Sequence, residues 1–115
     1  MTDCVFCKII RRDIKNDFIA SSNSFIAIRD IHPKSEGHTL IIPKEHYVTL
    51  LDIPDRLGEE LLAFIKKVSG SLLDEKYGRG FNVIMNNLSC AGQVVMHAHI
   101  HLVPRNDGDG LASLA

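Results

Sequence analysis

Residues 94–103, Val94-Val95-Met96-His97-Ala98-His99-Ile100-His101-Leu102-Val103, constrain this chain more than any other segment. They alternate apolar and histidine and are bounded by Gly92 and Pro104. Side chains alternate between the two faces of a strand. Val94, Met96, Ala98, Ile100 and Leu102 therefore point one way, and all are apolar. Val95, His97, His99, His101 and Val103 point the other way. The first face is expected to feed a core. The second carries three imidazoles, each about 7 Å from the next at two residues per step.

Three histidines are an odd choice for a solvated strand face, where Lys, Glu, Thr or Ser serve as well. Imidazole titrates near neutral pH and is also a nucleophile, so the row is expected to bind metal or move protons. A cupin-type metal site needs a downstream Glu and His, and no histidine follows His101. The His-x-His-x-Asp-His pattern of a metallo-β-lactamase is absent.

The rest of the chain supplies a sheet and a helix to receive that strand. Residues 18–20, 25–29, 39–42 and 81–85 read as four further strands, with turn chemistry at Ser22-Asn23. Leu57, Leu61, Leu62, Ile65, Val68, Leu72 and Leu73 recur at spacings of three and four, which predicts a helix over 55–76 with Gly78 as its stop. Residues 4–12 suit a short helix, and 106–110 are a loop. Strands in runs with one long helix give an α+β domain with an antiparallel sheet, and the short connections rule out parallel crossovers.

At 115 residues the expectation is one domain covering 1–115. Net charge is −1 with histidine neutral, so no polycationic surface for nucleic acid is offered. No stretch approaches the length of a membrane span, and the N-terminus has neither a basic region nor an apolar core of a signal peptide. The expectation is a cytoplasmic protein without nucleic-acid or membrane partners. Three cysteines, two of them in Cys4-Val5-Phe6-Cys7, argue against a disulfide framework and for thiolate ligands or redox groups. Upstream of the row, Gly92-Gln93 offers close backbone approach and an amide. Asn86 and Asn87 end the preceding strand, one expected at the site and the other forming the turn.

The row and its flanks, Gly92 to Arg105, resemble the signature of the histidine-triad family. A second block agrees: Asp30-Ile31-His32-Pro33, then Gly37-His38-Thr39-Leu40-Ile41-Ile42-Pro43-Lys44-Glu45-His46. The resemblance implies a small α+β fold with a five-stranded antiparallel sheet, one long helix and a short N-terminal helix, usually paired into a homodimer with a continuous sheet. It also implies binding of nucleotides and cleavage or transfer at the α-phosphate through a nucleotidyl-histidine.

Carried onto this sequence, His99 is the nucleophile, and His101 contacts the phosphate and protonates the leaving group. His38 supports the triad, and Asn86 and Gln93 hold phosphate oxygens. Asp30 meets the ribose, and Phe6, Ile9, Ile31 and Leu40 line the base pocket. In zinc-containing relatives the cysteine pair is completed by two histidines, here His46 and His97. That gives a structural zinc at Cys4, Cys7, His46 and His97, with His97 serving both triad and metal. Cys90 is read as a bystander thiol and His32 as a surface loop residue. Val94 stands where the eukaryotic purine branch has a phosphate-touching serine, and the chain lacks that branch's tryptophan, so substrate preference is not transferable. The expected activity is hydrolysis of nucleoside phosphoramidates or related conjugates. A nucleotidyltransferase, or a nucleotide-binding interaction protein with weak catalysis, are the alternatives.

Overall fold

The computed structural model describes residues 4–113. Five antiparallel strands form one sheet: β1 (Ala20–Ser21), β2 (Phe25–Arg29), β3 (Thr39–Pro43), β4 (Gly80–Ile84) and β5 (Ile100–Arg105). Their order is β1-β2-β3-β5-β4, so β5 lies inside the sheet and β4 at its edge. The helices are α1 (Val5–Ile10) and α2 (Gly58–Asp74), the latter preceded by a 3-10 turn at Asp55–Leu57.

Strand alternation distributes the core over both faces of the sheet. Phe25, Ala27, Ile41, Ile100 and Leu102 pack under Phe64, Val68 and Leu72 of α2. Ile26, Ile28, Leu40 and Ile42 face the other way, onto Phe6 and Ile9 of α1. All five residues of β3 are buried, as expected of a strand covered on both faces. With only six residues, α1 covers the β2–β3 part of its face. The β5–β4 part of that face carries His101, paired across the ladders with Leu40 on one side and Ile84 on the other.

Three sequence expectations are corrected here. The last strand runs over Ile100–Arg105, not 94–103. Residues 94–99 are extended or bent chain outside the ladder, so alternation does not hold at their start: Val94 is 88% exposed and Met96 39%. Only Ala98, Ile100 and Leu102 feed the core as expected. Helix α2 stops before Gly78, because Lys76 takes a left-handed φ of 64°. Tyr77 N–H then reaches the Leu72 carbonyl and Lys76 N–H the Leu73 carbonyl, a Schellman closure. Gly78 has another reason to be glycine: a Cβ there would lie 2.8 Å from the Arg105 backbone nitrogen. The first and fourth strands are shifted by one or two residues from their sequence positions.

Candidate functional site

The extended segment before β5 places His97 and His99 against Phe6 of α1. His97 is fully buried and His99 is 8% exposed. Their hydrogen bonds assign the tautomers. The His97 Nε2–H donates to the Pro43 carbonyl at 2.9 Å, which aims Nδ1 at the cysteine pair. The His99 Nδ1–H donates to the His97 carbonyl at 2.7 Å, leaving the Nε2 lone pair free. Phe6 stands edge-on to both rings, with centroids 5.8 Å from His97 and 5.1 Å from His99.

Cys4, Cys7, His46 and His97 converge, with their four ligand atoms all within 4.8 Å of one another. Cys4 Sγ lies 3.3 Å from His97 Nδ1, and Cys7 Sγ lies 3.3 Å from His46 Nδ1 and 3.6 Å from His97 Nδ1. Sulfur at ~2.3 Å and nitrogen at ~2.0 Å from one ion, at tetrahedral angles, stand roughly 3.5 Å apart. The donor set therefore fits a tetrahedral S₂N₂ cation such as zinc. The sequence places the thiols locally: Cys4 caps α1, its sulfur accepting the Cys7 N–H, so the two sulfurs share the first turn. Burial and the adjacent Cys4 sulfur raise the Cys7 pKa. Burial lowers that of His97 to about 4, which suits a neutral ligand.

The other end of the row is a proton network. The Lys34 backbone N–H donates to His38 Nδ1 at 3.0 Å, so the His38 proton sits on Nε2. That Nε2 lies 3.0 Å from His101 Nδ1 and 3.4 Å from Asp30 Oδ2. His101 Nδ1 accepts, and its own proton is on Nε2. Burial, then His99 and His38, lower the His101 pKa to about 4, against the raising effect of Asp30. Burial likewise lowers His38, opposed by Asp30. Gly37 sets the approach to His38: with φ of 87°, it lies so close to Tyr77 that a Cβ would stand 2.6 Å from the ring.

His38 and His101 open into a cavity of about 380 Å³, walled also by Asp30, Asn86, Ile84 and Val103. Asn86 faces it, whereas Asn87 is a loop residue whose Oδ1 accepts the Leu50 N–H. The Gln93 side chain is buried with its amide engaged: Oε1 accepts the Leu88 N–H, and Nε2 donates to the Val48 and Val95 carbonyls. Its role here is to hold the loop before the row. Phe6, Ile9 and Leu40 lie together in one buried cluster, but Ile31 is 82% exposed. Asp30 Oδ1 accepts the His32 N–H, and its Oδ2 faces the histidines. Cys90 is exposed. His32 is exposed and lines the cavity, as do Leu111 and Ala112 beyond the 106–110 loop. A basic residue in the Asp30–His38 loop was the available signal for the first; nothing in the sequence marked the second.

A buried nucleophile-capable imidazole, a histidine relay and a Cys₂His₂ cluster on one small antiparallel sheet define a histidine-triad site. The HIT domain model matches residues 11–108. An uncharacterised HIT-like protein of Methanocaldococcus jannaschii is 41% identical over 109 residues, covering 93% of this chain and 82% of that protein. The adenosine 5'-monophosphoramidase of Candida albicans is 42% identical over 108 residues, covering 90% of this chain and 71% of the relative. A zinc-bound histidine-triad protein of Mycobacterium smegmatis superposes with a TM-score of 0.89 at 36% identity, covering 96% of this chain and 81% of that one. The chain belongs to the HIT family. Relatives named as phosphoramidases support nucleotide hydrolase activity for it in general terms.

Proposed function

We propose that this protein hydrolyses nucleoside phosphoramidates or related nucleotide conjugates at the α-phosphate, through a nucleotidyl intermediate on His99. The observation that carries the reading is the His99 ring. Its Nδ1–H is tied to the His97 carbonyl, so Nε2 presents its lone pair beside the histidine relay. The resemblance to phosphoramidases named in three yeasts favours a nitrogen leaving group.

The α-phosphate sits between His99, His101 and Asn86. The base packs toward Phe6, Ile9 and Leu40, and the ribose lies at Asp30. With the Gln93 amide engaged elsewhere, backbone N–H groups after it take its place at the phosphate. The negative charge of the bound phosphate, with Asp30 Oδ2 3.9 Å away, draws a second proton onto His101. His99 Nε2 attacks phosphorus. The P–N bond breaks with its electron pair on nitrogen, and His101 gives that nitrogen the Nε2 proton. Water then attacks phosphorus from the vacated side, the P–Nε2 bond breaks with its electron pair returning to His99, and His101 takes a proton from the water. Phosphoramidate and water become nucleoside monophosphate and amine, and both histidines return to their starting state. Such proton transfer is worth roughly 10²–10⁴-fold, and holding nucleophile and phosphate together up to about 7–11 kcal/mol of barrier.

Cys4, Cys7, His46 and His97 would hold a structural zinc whose closed shell stabilises the fold. The His97 Nε2–H bond to Pro43 is the outer contact that orients its ring toward such an ion. We also propose a homodimer, paired along the β4 edge where Phe81 and Val83 are exposed, and a cytoplasmic setting. Among the described residues no helix is long and apolar enough to cross a membrane. Purified protein offered a panel of nucleoside phosphoramidates, nucleotidyl sulfates and sugar-phosphate acceptors tests the reading. Release of nucleoside monophosphate from the phosphoramidates is expected. Transfer to sugar phosphate without hydrolysis would make the chain a transferase.

A further inference from the structure

His38 reaches the site from a loop whose shape is set on the opposite face of the sheet. Leu40 and Ile42 of β3 face α1, whereas Ile41 faces α2. By the same alternation His38 turns toward His101 and Thr39 turns away from it. Thr39 lies directly across the ladder from Arg29, so these two side chains share the α2 face. Neither lines the cavity.

On that far face two donors meet at one oxygen. The Gly37 carbonyl accepts the Thr39 hydroxyl at 2.7 Å and the Arg29 Nη1–H at 3.3 Å. Arg29 Nη1 also donates to Thr39 Oγ1, which leaves the hydroxyl proton for Gly37. The guanidinium is held in turn 4.9 Å over the Tyr77 ring.

The Gly37 carbonyl and the His38 N–H belong to one rigid peptide plane. At its other edge the His38 N–H donates to the Ser35 carbonyl at 3.1 Å. Residue 37 has to be glycine, because a Cβ would stand 2.6 Å from the Tyr77 ring. Glycine imposes little torsional preference of its own. Hydrogen bonds therefore fix the plane from which the His38 side chain departs. The Lys34 N–H on Nδ1 sets the rotation of the ring, but not the place of its Cα. His38 Nε2 and His101 Nδ1 are 3.0 Å apart, and a turn of that plane would take them out of hydrogen-bonding range.

Resting on the phosphoramidase reading, we propose that Thr39 and Arg29 are positioning residues for the His38–His101 relay, acting through the Gly37 carbonyl. Thr39 supplies the shorter bond, and Arg29 orients its hydroxyl. Neither touches substrate, so both act on turnover and not on binding.

Three substitutions test this. Thr39→Val keeps the side-chain shape without the hydroxyl, Thr39→Ser keeps the hydroxyl, and Arg29→Met removes the cation at a half-buried position. Long-range proton–nitrogen NMR spectra of the neutral imidazoles in ligand-free protein read the relay without any substrate. Wild type is expected to show His101 protonated on Nε2 alone, and Thr39→Val to show the proton shared between both nitrogens. The kcat of Thr39→Val on a nucleoside phosphoramidate should fall roughly ten- to a hundredfold, with nucleoside monophosphate affinity within about twofold of wild type. Arg29→Met should do the same more weakly, and should add little on the Thr39→Val background because both act on one carbonyl. Thr39→Ser should restore both spectrum and kcat. A wild-type His101 spectrum in Thr39→Val overturns the inference even if turnover falls, and so does a loss of kcat that Thr39→Ser shares in full. Should Thr39→Val fail to fold, an unaltered spectrum in Arg29→Met overturns it equally. If wild type cleaves no phosphoramidate, the reading of the reaction falls, while the spectra still decide whether Thr39 and Arg29 position the relay.

Discussion

The two ends of the histidine row differ in what surrounds the same side chain. At one end His97 is fully buried, its two nitrogens committed to the Pro43 carbonyl and the cysteine cluster. At the other end His101 is 20% exposed and opens on a cavity. Burial lowers both pKa values to about 4. Only at His101, however, can an incoming phosphate change the local charge and reverse the shift. A histidine with no solvent path and saturated nitrogens is a structural part. One with a carboxylate and a relay behind it, and a void in front, is equipped for proton transfer. His99, between them, takes its orientation from the first end, and on the proposed reading it would take its reaction partner from the second.

The largest effect is expected at that middle position. His99→Ala should lower turnover by about 10⁴-fold, the scale of losing a nucleophile, while thermal melting stays near wild type. Near-normal turnover in this variant would end the covalent role. Next comes the open end. His101→Asn should reduce turnover by roughly 10²–10⁴-fold, with the loss growing as the leaving amine becomes more basic, and should leave bound metal and melting temperature unchanged. The closed end should give the reverse signature. Cys4→Ser should lose zinc, measured by elemental analysis, and lower the melting temperature by roughly 10–20 °C. If Cys4→Ser kept its stability, or His101→Asn lost its metal, the division between a structural end and a chemical end would collapse.

The sequence made this division only partly legible. Alternation at Ala98, Ile100 and Leu102 identified the buried face of the last strand correctly, because each of these has α2 or the sheet to pack against. The same pattern at Val94 and Met96 misled, since no strand pairs with that segment and both side chains reach solvent. Gly78 looked like a helix stop. The actual stop is a lysine in a left-handed conformation, which no propensity scale favours. The pairing of Cys4 and Cys7 with His46 and His97 came from the family's pattern, and only the tertiary fold brings together residues 93 positions apart. The Gln93 amide illustrates a different limit. Residue type told what it can bind, but not that loop carbonyls had already engaged it. Lys34 and His32 acquire meaning only from the cavity they line.

The smallest effect tests why the two ends respond differently to charge. Holding His101 near pKa 4 makes its folded state bind fewer protons than the unfolded chain between about pH 4 and the ordinary histidine value of 6.5. The sign follows: this group's contribution to stability is full above pH 6.5 and is lost as pH falls toward 4. His38, lowered by the same burial, acts in the same direction. Binding a nucleoside monophosphate should oppose this at His101, because phosphate charge favours the imidazolium. Complex formation near pH 7 should then take up a fraction of a proton per site, and affinity should weaken as pH rises. Calorimetry in two buffers of different ionisation enthalpy measures the uptake directly. His101→Asn should abolish most of it, whereas a protein that still takes up the same fraction would locate the proton elsewhere, and His101 would lose its role as the acid.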